Sequence, residues 1–382
     1  MDNETAKQEW IAVQRTVDHI RHRGVFPNFV QRPLTLEATL LEACIFERTV
    51  LDLEDAVYHC LYYGTRAKQE YTLVLVDEAQ DLNDANHQFL RRCVVPRQGR
   101  TILCAVGDPG QAIYQFRGAN PESLQRLTQM FCAQQLYLTC CFRCPRRIVS
   151  VASYLFPNIH AAPAADLGGV KVCKCDGWNS LEVLLDKLPK DETVLFVART
   201  NRGILNFVRY LYGQLPSVLC GREIRWAAPS LLADLHAILE IVDPNQTVEE
   251  VMQHAQQGLD GRGPMETATL RVLETVAEMD GESTLLSSSP FLSFVIQLLS
   301  APPAIFTMAT IHASKGAEHD HVFLDQYNLI GGPEGVQERN LLYIAITRAK
   351  KTLTFFMHGK SQYVPSALLP TNIIHMSGHL ES

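Results

Sequence analysis

The sequence lacks long apolar runs, internal repeats and low-complexity tracts. No run reaches the roughly 20 apolar residues that a membrane-spanning helix needs. The start, Met1–Glu4, is acidic and polar, and no apolar leader of the secretory type follows it. These absences predict a soluble, intracellular protein with no membrane partner, and they do not distinguish nucleus from cytoplasm.

An excess of positive charge is also missing. The chain has 34 Lys and Arg against 41 Asp and Glu, a net charge of −7. This argues against a protein that coats nucleic acid by bulk charge, but it leaves room for a local basic groove. The 11 cysteines are odd in number and irregularly spaced. They favour a reducing compartment over a disulfide framework.

What the chain does contain is an alternation of apolar strands and amphipathic helices. With 382 residues, of which 47% are hydrophobic, it is long enough for two domains. The pattern predicts an α/β fold with parallel sheets. A Pro-, Ala- and Gly-rich stretch, 157–169, is the predicted linker between a first domain (1–156) and a second domain (170–382), with a helical insertion at about 229–300. Three helices are predicted before the first strand, at 5–22, 34–47 and 51–63.

Polar clusters follow the predicted strands. The apolar run 71–76, expected to be buried on both faces, ends in Asp77 and Glu78. Two acids at the carboxyl end of a parallel strand suit one Mg²⁺ ligand and one residue that activates water. The alternative is a strand followed by an acidic loop. A second apolar run, 101–106, also ends in a polar cluster, Gly107–Gln111, and this repetition favours a ligand site.

Six such clusters occur in order along the chain. They are DEAQD from Asp77, GDPGQ from Gly107, FRCP from Phe142, RTN from Arg199, TIHASKGAE from Thr310 and TRAK from Thr347. In this order they resemble the UvrD/Rep family of superfamily 1 DNA helicases, and the short insertion is similar to that of the compact, F-box-helicase-like members. The resemblance implies two RecA-like lobes, the first incomplete, and ATP-dependent movement on single-stranded DNA in repair or replication.

The resemblance also implies roles in nucleotide hydrolysis. Asp77 would hold Mg²⁺, and Glu78 would polarise the attacking water between the lobes. Gln111 would sense the γ-phosphate of ATP, while Arg143 and Arg348 would neutralise charge on the transferred phosphoryl group. The alternative for Arg348 is a structural cation at the C-terminus of a helix.

Further nucleotide contacts are implied by two other motifs. Phe142 stands where the family often has a tyrosine that stacks on adenine, although a core phenylalanine is the alternative. Glu318 would approach the nucleotide sugar. The same motif contributes Lys315 and Gly316.

Single-stranded DNA is the implied partner of a separate set of residues. Tyr114, Phe116 and Arg117 match the family's QxxYxFRGA segment, whose aromatic faces would stack on bases. A second group touches single-stranded DNA in the family or joins the DNA and ATP sites: Arg199, Asn201, Thr310 and His312. For these residues, packing between domains is the alternative.

One departure from the family concerns the phosphate-binding loop, GxxxxGK[ST], which is absent before Asp77. Gly359–Ser361 has the last three residues of the motif, but it follows the sixth cluster, and Thr354 stands where the first glycine is required. We therefore expect a truncated or degenerate chain, or one whose phosphate loop comes from a missing N-terminal segment or a second chain. The alternative function is an ATPase-deficient DNA-binding module or half of a split helicase.

The cysteines offer a different interpretation. Cys141 and Cys144 form a CxxC pair, and other cysteines lie near it in sequence: Cys132, Cys140, Cys173 and Cys175. Zinc and iron–sulfur sites need four ligands in suitable geometry. Because the pair falls inside one of the six clusters, we favour small buried thiols over metal ligands.

Overall fold

The computed structural model of the chain consists of two compact units, divided between Tyr137 and Leu138. The residues that it describes are 53–67, 71–94, 101–115, 118–175, 179–214, 222–257, 267–325, 335–358 and 375–376. The helices predicted at 5–22 and 34–47 lie outside the described residues.

Helices and strands alternate in the first unit. In order, they are α1 (Leu53–Tyr62), β1 (Leu73–Val76), α2 (Asp84–Phe89), β2 (Ile102–Ala105) and α3 (Ser123–Phe131). Strands β1 and β2 pair in parallel, with Val76 opposite Ala105. The carboxyl ends of both strands therefore lie at the same edge of the sheet.

Hydrogen bonds fix the helices of this unit around the segment that follows β1. Asn83 and Asn86 form a reciprocal capping box that begins α2. On the same helix, Nε2 of the buried His87 lies 2.9 Å from Oγ of Ser123, and the Ser123 hydroxyl donates to the carbonyl of Ala79 at 2.5 Å. Burial lowers the pKa of His87, which favours its neutral ring. Helices α2 and α3 are thereby tied to the residues just after the first strand.

The prediction that β1 is buried on both faces was wrong. Its side chains alternate between exposed and half-buried, and Leu75 is 70% exposed. Leu73 and Ile102, which pair across the two strands, are exposed on the same face. A strand is buried on both faces only where other elements cover both faces. In the described part of this unit, nothing covers the face that carries Leu75.

The second unit contains nine strands and eight helices within the described residues. The strands are β3 (Cys140–Cys141), β4 (His160–Ala161), β5 (Gly169–Cys175), β6 (Val194–Ala198), β7 (Ile224–Ala227), β8 (Phe306–Thr310), β9 (His319–Asp325), β10 (Ala349–His358) and β11 (His375–Met376). The helices are α4 (Arg146–Ser153), α5 (Asn179–Asp186), α6 (Asn201–Gln214), α7 (Pro229–Ile241), α8 (Val248–Gln257), α9 (Thr267–Asp280), α10 (Pro290–Ser300) and α11 (Val336–Ile346). No helix in the described residues is both long and apolar enough to cross a membrane.

Seven of these strands form one sheet, in the order β11-β5-β10-β9-β6-β8-β7, and all its pairs are parallel. The five residues of β6 are all buried, and the ring centroid of Phe196 lies 4.8 Å from that of Phe207 on α6. The predicted α/β class with parallel sheets is confirmed. Strand β7 was not predicted, because it is short and Arg225 interrupts its apolar residues.

The predicted helical insertion is present as α7 to α10, between β7 and β8. Its last two helices are joined by Asp280 at the end of α9. The Asp280 carboxylate accepts hydrogen bonds from the hydroxyl of Ser289, at 2.5 Å, and from the backbone N–H of Phe291, at 3.0 Å. Oγ of Ser289 in turn accepts from the N–H of Leu292 and caps α10. The insertion is therefore a packed layer of helices.

The division between the units falls earlier than the linker predicted at 157–169. Residues 138–168 belong to the second unit, because α4 packs against β5, β10 and α11, and because β3 pairs with β4. A side-chain contact adds to this packing, since Sγ of Cys144 lies 3.5 Å from the carbonyl oxygen of Thr347.

The apolar run Leu136–Leu138 predicts a short strand, but no strand is formed there. These residues have no regular secondary structure and their side chains are exposed, with Leu138 95% exposed. The observed strand, β3, begins at Cys140, two residues after Leu138, and its Cys141 pairs with Ala161. The apolar side chains alone predicted this strand at the wrong position, because its partner strand, β4, lies inside the stretch predicted as a linker.

Candidate functional site

Gln80 joins the two polar strand ends of the first unit. Its side chain is 3% exposed. Its Nε2 donates to Oε2 of Glu78 at 2.5 Å, and its Oε1 accepts from the backbone N–H of Asp108 at 3.0 Å. The N–H of Ala79 also donates to the carbonyl of Val106 at 2.9 Å. The structure therefore brings together the two clusters that the sequence predicted on neighbouring strands.

Asp77 and Glu78 are both exposed at this edge. The Oδ1 atom of Asp77 accepts a hydrogen bond from the N–H of Glu78 at 2.8 Å. Glu78 has φ 50 and ψ 39, in the left-handed region that residues other than glycine rarely adopt. Such a conformation costs about 1–3 kcal/mol and persists only where neighbouring contacts hold it. The bond from Gln80 is one of those contacts.

Asp108 organises the cluster after β2. It precedes the short 3₁₀ helix Pro109–Gln111, and its Oδ1 accepts from the N–H of Gly110 at 2.8 Å. Its Oδ2 accepts from Nε2 of Gln111 at 2.9 Å. Gln111 is thus held by a carboxylate that was not among the predicted site residues. Its role as a phosphate sensor stays a prediction.

The segment predicted to stack on DNA is described in part. Tyr114 is half-buried, and its carbonyl accepts from the N–H of Ala119 at 3.2 Å. Gly118, with φ 79, allows the turn between them. Phe116 and Arg117 lie outside the described residues, so the DNA contacts of this segment stay predictions.

Three predicted site residues from three different motifs meet in the second unit. We call Arg143, Glu318 and Arg348 the arginine cluster. Nε of Arg143 lies 2.5 Å from Oε1 of Glu318, and both side chains are partly exposed. Arg348 is 1% exposed. Its pKa is lowered by burial first and then by the charge of Arg143, while the charge of Glu318 opposes this. The cluster joins the turn after β3, the loop after β8 and the end of α11.

Arg348 makes three hydrogen bonds within its own unit. Its Nε donates to the carbonyl of Ile344 at 3.0 Å, and its Nη1 donates to the carbonyl of Ala317 at 3.1 Å. Its Nη2 donates to Oγ1 of Thr347 at 3.1 Å. Because Ile344 is in the last turn of α11, these contacts are those of the alternative that the sequence left open, a cation at a helix C-terminus. The guanidinium remains charged despite its burial.

Phe142 is 84% exposed, so it is not a core residue. It lies between β3 and α4, directly before Arg143. An exposed aromatic face beside a cation is compatible with stacking on a flat ring. Its contact with adenine stays a prediction.

The loop after β8 is held by short-range hydrogen bonds. Oγ1 of Thr310 accepts from the N–H of Ala313 at 3.2 Å, and the N–H of Lys315 donates to the carbonyl of His312 at 3.3 Å. Gly316 has φ 82, a conformation that favours glycine. These bonds define the loop that ends at the arginine cluster.

Two of the predicted DNA-contacting groups lie at the same edge of the large sheet. Ala198, the last residue of β6, pairs with Thr310, the last residue of β8. The residue after β6, Arg199, forms a bidentate ion pair with Glu338 of α11, with Nη2 to Oε1 at 2.7 Å and Nε to Oε2 at 3.1 Å. Asn201 begins α6, and its buried Oδ1 has no hydrogen-bond partner among the described residues.

Sequence reasoning missed three residues that connect the motifs: Gln80, Asp108 and Glu338. The first two lie inside the polar clusters, but the family resemblance drew attention to their neighbours. A signal was present for Glu338, since it is an acid in the first turn of the helix that ends before Arg348. The ion pair between Glu338 and Arg199 could not be predicted from the spacing of residues in the sequence, because the two residues lie far apart along the chain.

The metal interpretation of the cysteines finds no support in the described part of the chain, where no group of three or more His, Cys, Asp or Glu side chains is arranged to hold a metal. Cys141 and Cys144 are free thiols. The favoured alternative of buried thiols holds for Cys144 and Cys173, whereas Cys132 and Cys140 are exposed.

Two family models match the chain. Residues 47–132 match the UvrD/REP helicase N-terminal domain, and residues 306–355 match the UvrD-like helicase C-terminal domain. The first match contains both polar strand ends of the first unit, and the second contains the loop after β8 and α11. The chain is therefore UvrD/Rep-like, as its motifs indicated. Arg143 and Arg199 lie outside both matches.

Curated relatives agree with this family. The ATP-dependent DNA helicase Rep of Salmonella typhimurium (strain LT2) is 36% identical over 94 residues, which are 24% of this chain and 14% of that protein. The ATP-dependent DNA helicase UvrD2 of Mycobacterium tuberculosis (strain H37Rv) is 26% identical over 365 aligned residues, 79% of this chain and 50% of that protein. The chain thus spans half, or less, of the length of these relatives.

A solved structure also matches, the C-terminal domain of a possible DNA helicase from Lactobacillus plantarum WCFS1. It covers 61% of this chain and 98% of its own, with 14% identity and a TM-score of 0.31. The fold described above therefore rests on the strand order and parallel pairing of this chain itself.

Proposed function

We propose that this chain couples ATP hydrolysis to movement along single-stranded DNA. The observation that carries the proposal is the bridge made by Gln80, which holds Glu78 beside Asp108 at the carboxyl ends of two parallel strands. Ligands of open α/β sheets bind at that edge. The relatives Rep and UvrD2 are both ATP-dependent DNA helicases by name, which supports the same reaction here.

The acidic pair fits magnesium and a nucleotide. Mg²⁺ in nucleotide sites usually takes one or two carboxylates together with substrate phosphates and water. The exposed carboxylate of Asp77 meets that need without a larger ligand group. When bound, Mg²⁺ would neutralise charge on the phosphate oxygens. In this proposal Glu78 orients the attacking water, and Gln111 contacts the terminal phosphate.

Arg143 is suited to neutralise phosphoryl charge because its present partner is weakly held. The pair with Glu318 is partly exposed on both sides. Such pairs contribute about 0–1 kcal/mol, so Arg143 can exchange the Glu318 carboxylate for a phosphate at low free-energy cost. Glu318 would then accept hydrogen bonds from the nucleotide sugar, near Lys315, Gly316 and the exposed ring of Phe142.

The proposed DNA-contacting set includes aromatic residues of the first unit and, separately, residues at one sheet edge of the second unit. Aromatic stacking on bases is tolerant of sequence, which suits a protein that moves along a strand. The residues assigned to it are Tyr114, Phe116, Arg117, Arg199, Asn201, Thr310 and His312. Hydrolysis and DNA contact are joined in the second unit through α11, which carries Glu338 at its start and leads into Arg348 at its end.

A second candidate is a DNA-binding module that does not hydrolyse ATP by itself. One observation favours it: Arg348 is buried and already bonded to three oxygens, so it must leave those acceptors before it can reach a phosphate. As half of a split helicase, such a chain would hydrolyse ATP only with a phosphate loop supplied by a further segment or a second chain.

ATP hydrolysis by the purified chain, with and without a single-stranded oligonucleotide, tests the proposal. We expect DNA to stimulate hydrolysis, and Glu78→Gln to reduce it by about 100-fold or more, because positioned charge is the main catalytic contribution to this reaction. Glu78→Gln keeps an oxygen for the bond from Gln80. Glu282→Gln, an exposed acid in the insertion, is the matched control and should leave the rate unchanged.

Binding of a fluorescent single-stranded oligonucleotide separates the two candidates. Hydrolysis that is absent in the wild type while oligonucleotide binding is retained would establish the DNA-binding module. Neither hydrolysis nor DNA binding, in a chain whose thermal melting is cooperative, would rule out both.

A further inference from the structure

The CxxC sequence Cys141–Cys144 spans the turn that carries Arg143. Cys141 ends β3, and Cys144 lies just before Pro145, the N-cap residue of α4. The backbone N–H of Cys144 donates to Sγ of Cys141 at 3.4 Å. Since Sγ of Cys144 is only three bonds from that nitrogen, rotation of one side chain can bring the two sulfurs into contact.

The environments of the two thiols differ. Cys141 is half-buried, so a small molecule can reach it, whereas Cys144 is buried. Sγ of Cys144 lies 3.5 Å from the carbonyl oxygen of Thr347, to which its thiol can donate. One cysteine is therefore placed to react first and the other to react second.

Hydrogen bonds, together with a nearby charge, favour the thiolate of Cys141. The pKa of Cys141 is lowered to about 5, first by the hydrogen bond from the Cys144 thiol and further by backbone N–H groups and the charge of Arg143. The pKa of Cys144 is raised, first by the same hydrogen bond and then by burial. Low-pKa thiols at the start of helices and beside cations are the reactive ones in proteins.

We propose that Cys141 and Cys144 form a thiol–disulfide exchange site for small-molecule disulfides of the glutathione type. In the first step, the Cys141 thiolate attacks one sulfur of the disulfide, whose S–S bond breaks and releases one thiolate. In the second, Cys144 loses its proton to solvent and attacks Sγ of Cys141, which releases the second thiolate. The protein dithiol loses two electrons and two protons, and the small disulfide is reduced to two thiols.

Oxidation would change the surroundings of the arginine cluster. To bond Cys141, Sγ of Cys144 must give up its contact with the carbonyl of Thr347, the residue before Arg348. Arg143 would then lie within the closed ring of the disulfide. We therefore expect oxidation to lower DNA-stimulated ATP hydrolysis, and this consequence rests on the proposed function.

Peptide mapping tests the site independently of hydrolysis. The full chain is incubated in glutathione buffers of increasing oxidised fraction, quenched in acid, alkylated and cut with trypsin. Because trypsin cleaves after Arg143, a Cys141–Cys144 disulfide joins two peptides that separate on reduction. The experiment is run in wild type and in Cys140→Ser, which removes the exposed neighbouring thiol from the same peptide.

Trapping variants give the order of the steps. In Cys144→Ser we expect a glutathione adduct on Cys141 at several times the level found on Cys132, an exposed thiol of the first unit. In Cys141→Ser we expect neither the adduct nor the disulfide. The alkylation rate of Cys141 should be nearly constant from pH 6 to pH 8, whereas an ordinary thiol gains about tenfold per pH unit in that range.

Several results would overturn the proposal. These are the absence of the linked peptides at every buffer ratio, a disulfide that involves Cys140 instead, or adducts on Cys141 no more abundant than those on Cys132. If the disulfide forms but hydrolysis is absent in both redox states, the exchange site stands and the proposed ATPase fails. Circular dichroism of each variant confirms that the chain is folded before its adducts are compared.

Discussion

The strand that leads to Asp77 and the strand that leads to Arg199 carry their polar residues at equivalent ends but are supported in different ways. In the first unit, β1 belongs to a two-stranded sheet in the described residues, and its side chains alternate between exposed and half-buried. In the second unit, β6 lies inside a seven-stranded sheet and is buried along its whole length.

The two sites are consequently held by different forces. At the acidic pair, geometry depends on hydrogen bonds between side chains and backbone, with Gln80 at the centre. At the end of β6, the position of Arg199 depends on the core that buries this strand, which includes Val194, Phe196 and Ala198. Hydrogen bonds contribute about 0.5–1.5 kcal/mol each, whereas burial of one large side chain contributes about 1.5–3 kcal/mol. The first site should therefore be the easier to distort.

The largest expected effect comes from truncating the core of the large sheet. Phe196→Ala should lower the local stability of the second unit by about 3–5 kcal/mol, because it leaves a cavity in a fully packed layer. The matched change in the first unit, Leu75→Ala, should alter stability by no more than about 0.5 kcal/mol, because that side chain is largely exposed. Hydrogen exchange followed by mass spectrometry reads each unit separately.

The stability measured for Leu75→Ala can contradict the proposed difference between the two sheets. A loss well above 1 kcal/mol there would mean that the exposed face of β1 and β2 is covered in solution. The two sheets would then differ less than their exposed surfaces indicate, and hydrogen bonds would no longer be the main support of the acidic pair.

Much of the fold followed from the sequence, because strand and helix periods are local properties. The apolar run Val194–Ala198 predicts β6 within its observed limits, and the insertion predicted at about 229–300 matches α7 to α10, which begin at Pro229 and end at Ser300. The errors came from properties that are not local. Burial of β1 depends on what covers it, and the strand expected at Leu136–Leu138 lies instead at β3, because its partner β4 decides the register.

The sequence predicted where the candidate site residues lie along the chain, but not how they pair. The predicted elements placed Asp77 after a strand, Arg143 in a turn and Arg348 after a helix, where the structure has them, while their roles stay predictions. They did not reveal that Arg143 faces Glu318 or that Arg348 is buried among carbonyls. Such contacts join residues more than 100 positions apart, or depend on side-chain rotation, and neither is encoded in local spacing.

The next largest effect distinguishes the two arginines of the cluster. Arg348→Ala should destabilise the second unit by about 2–4 kcal/mol, because it leaves the carbonyls of Ile344 and Ala317 buried without their donor. Arg143→Ala should cost no more than about 1 kcal/mol, because its ion pair is partly exposed. Hydrogen exchange in peptides that cover α11 measures both losses.

Arg348→Lys sharpens this test, since it keeps the charge but loses the planar fork that reaches three acceptors. If lysine restores stability but not ATP hydrolysis, the guanidinium has a role beyond packing. If the wild type and Arg348→Ala have equal stability, the buried contacts of Arg348 are not those that hold the end of α11 in solution.

The smallest effect concerns the bridge between the two acidic strand ends. A Cβ atom at Gly107 would lie 2.5 Å from Oε1 of Gln80 and 3.0 Å from its backbone nitrogen, so Gly107→Ala must displace Gln80. We expect a loss of about 1–3 kcal/mol from overpacking, seen as faster exchange of the Asp108 amide. Gly213→Ala is the control, because nothing lies within 4 Å of its Cβ position in α6, and it should stabilise by up to about 1 kcal/mol. If the two substitutions behave alike, the contact between Gln80 and the second strand end is too loose to position Glu78, and the first unit must hold its acidic pair by other means.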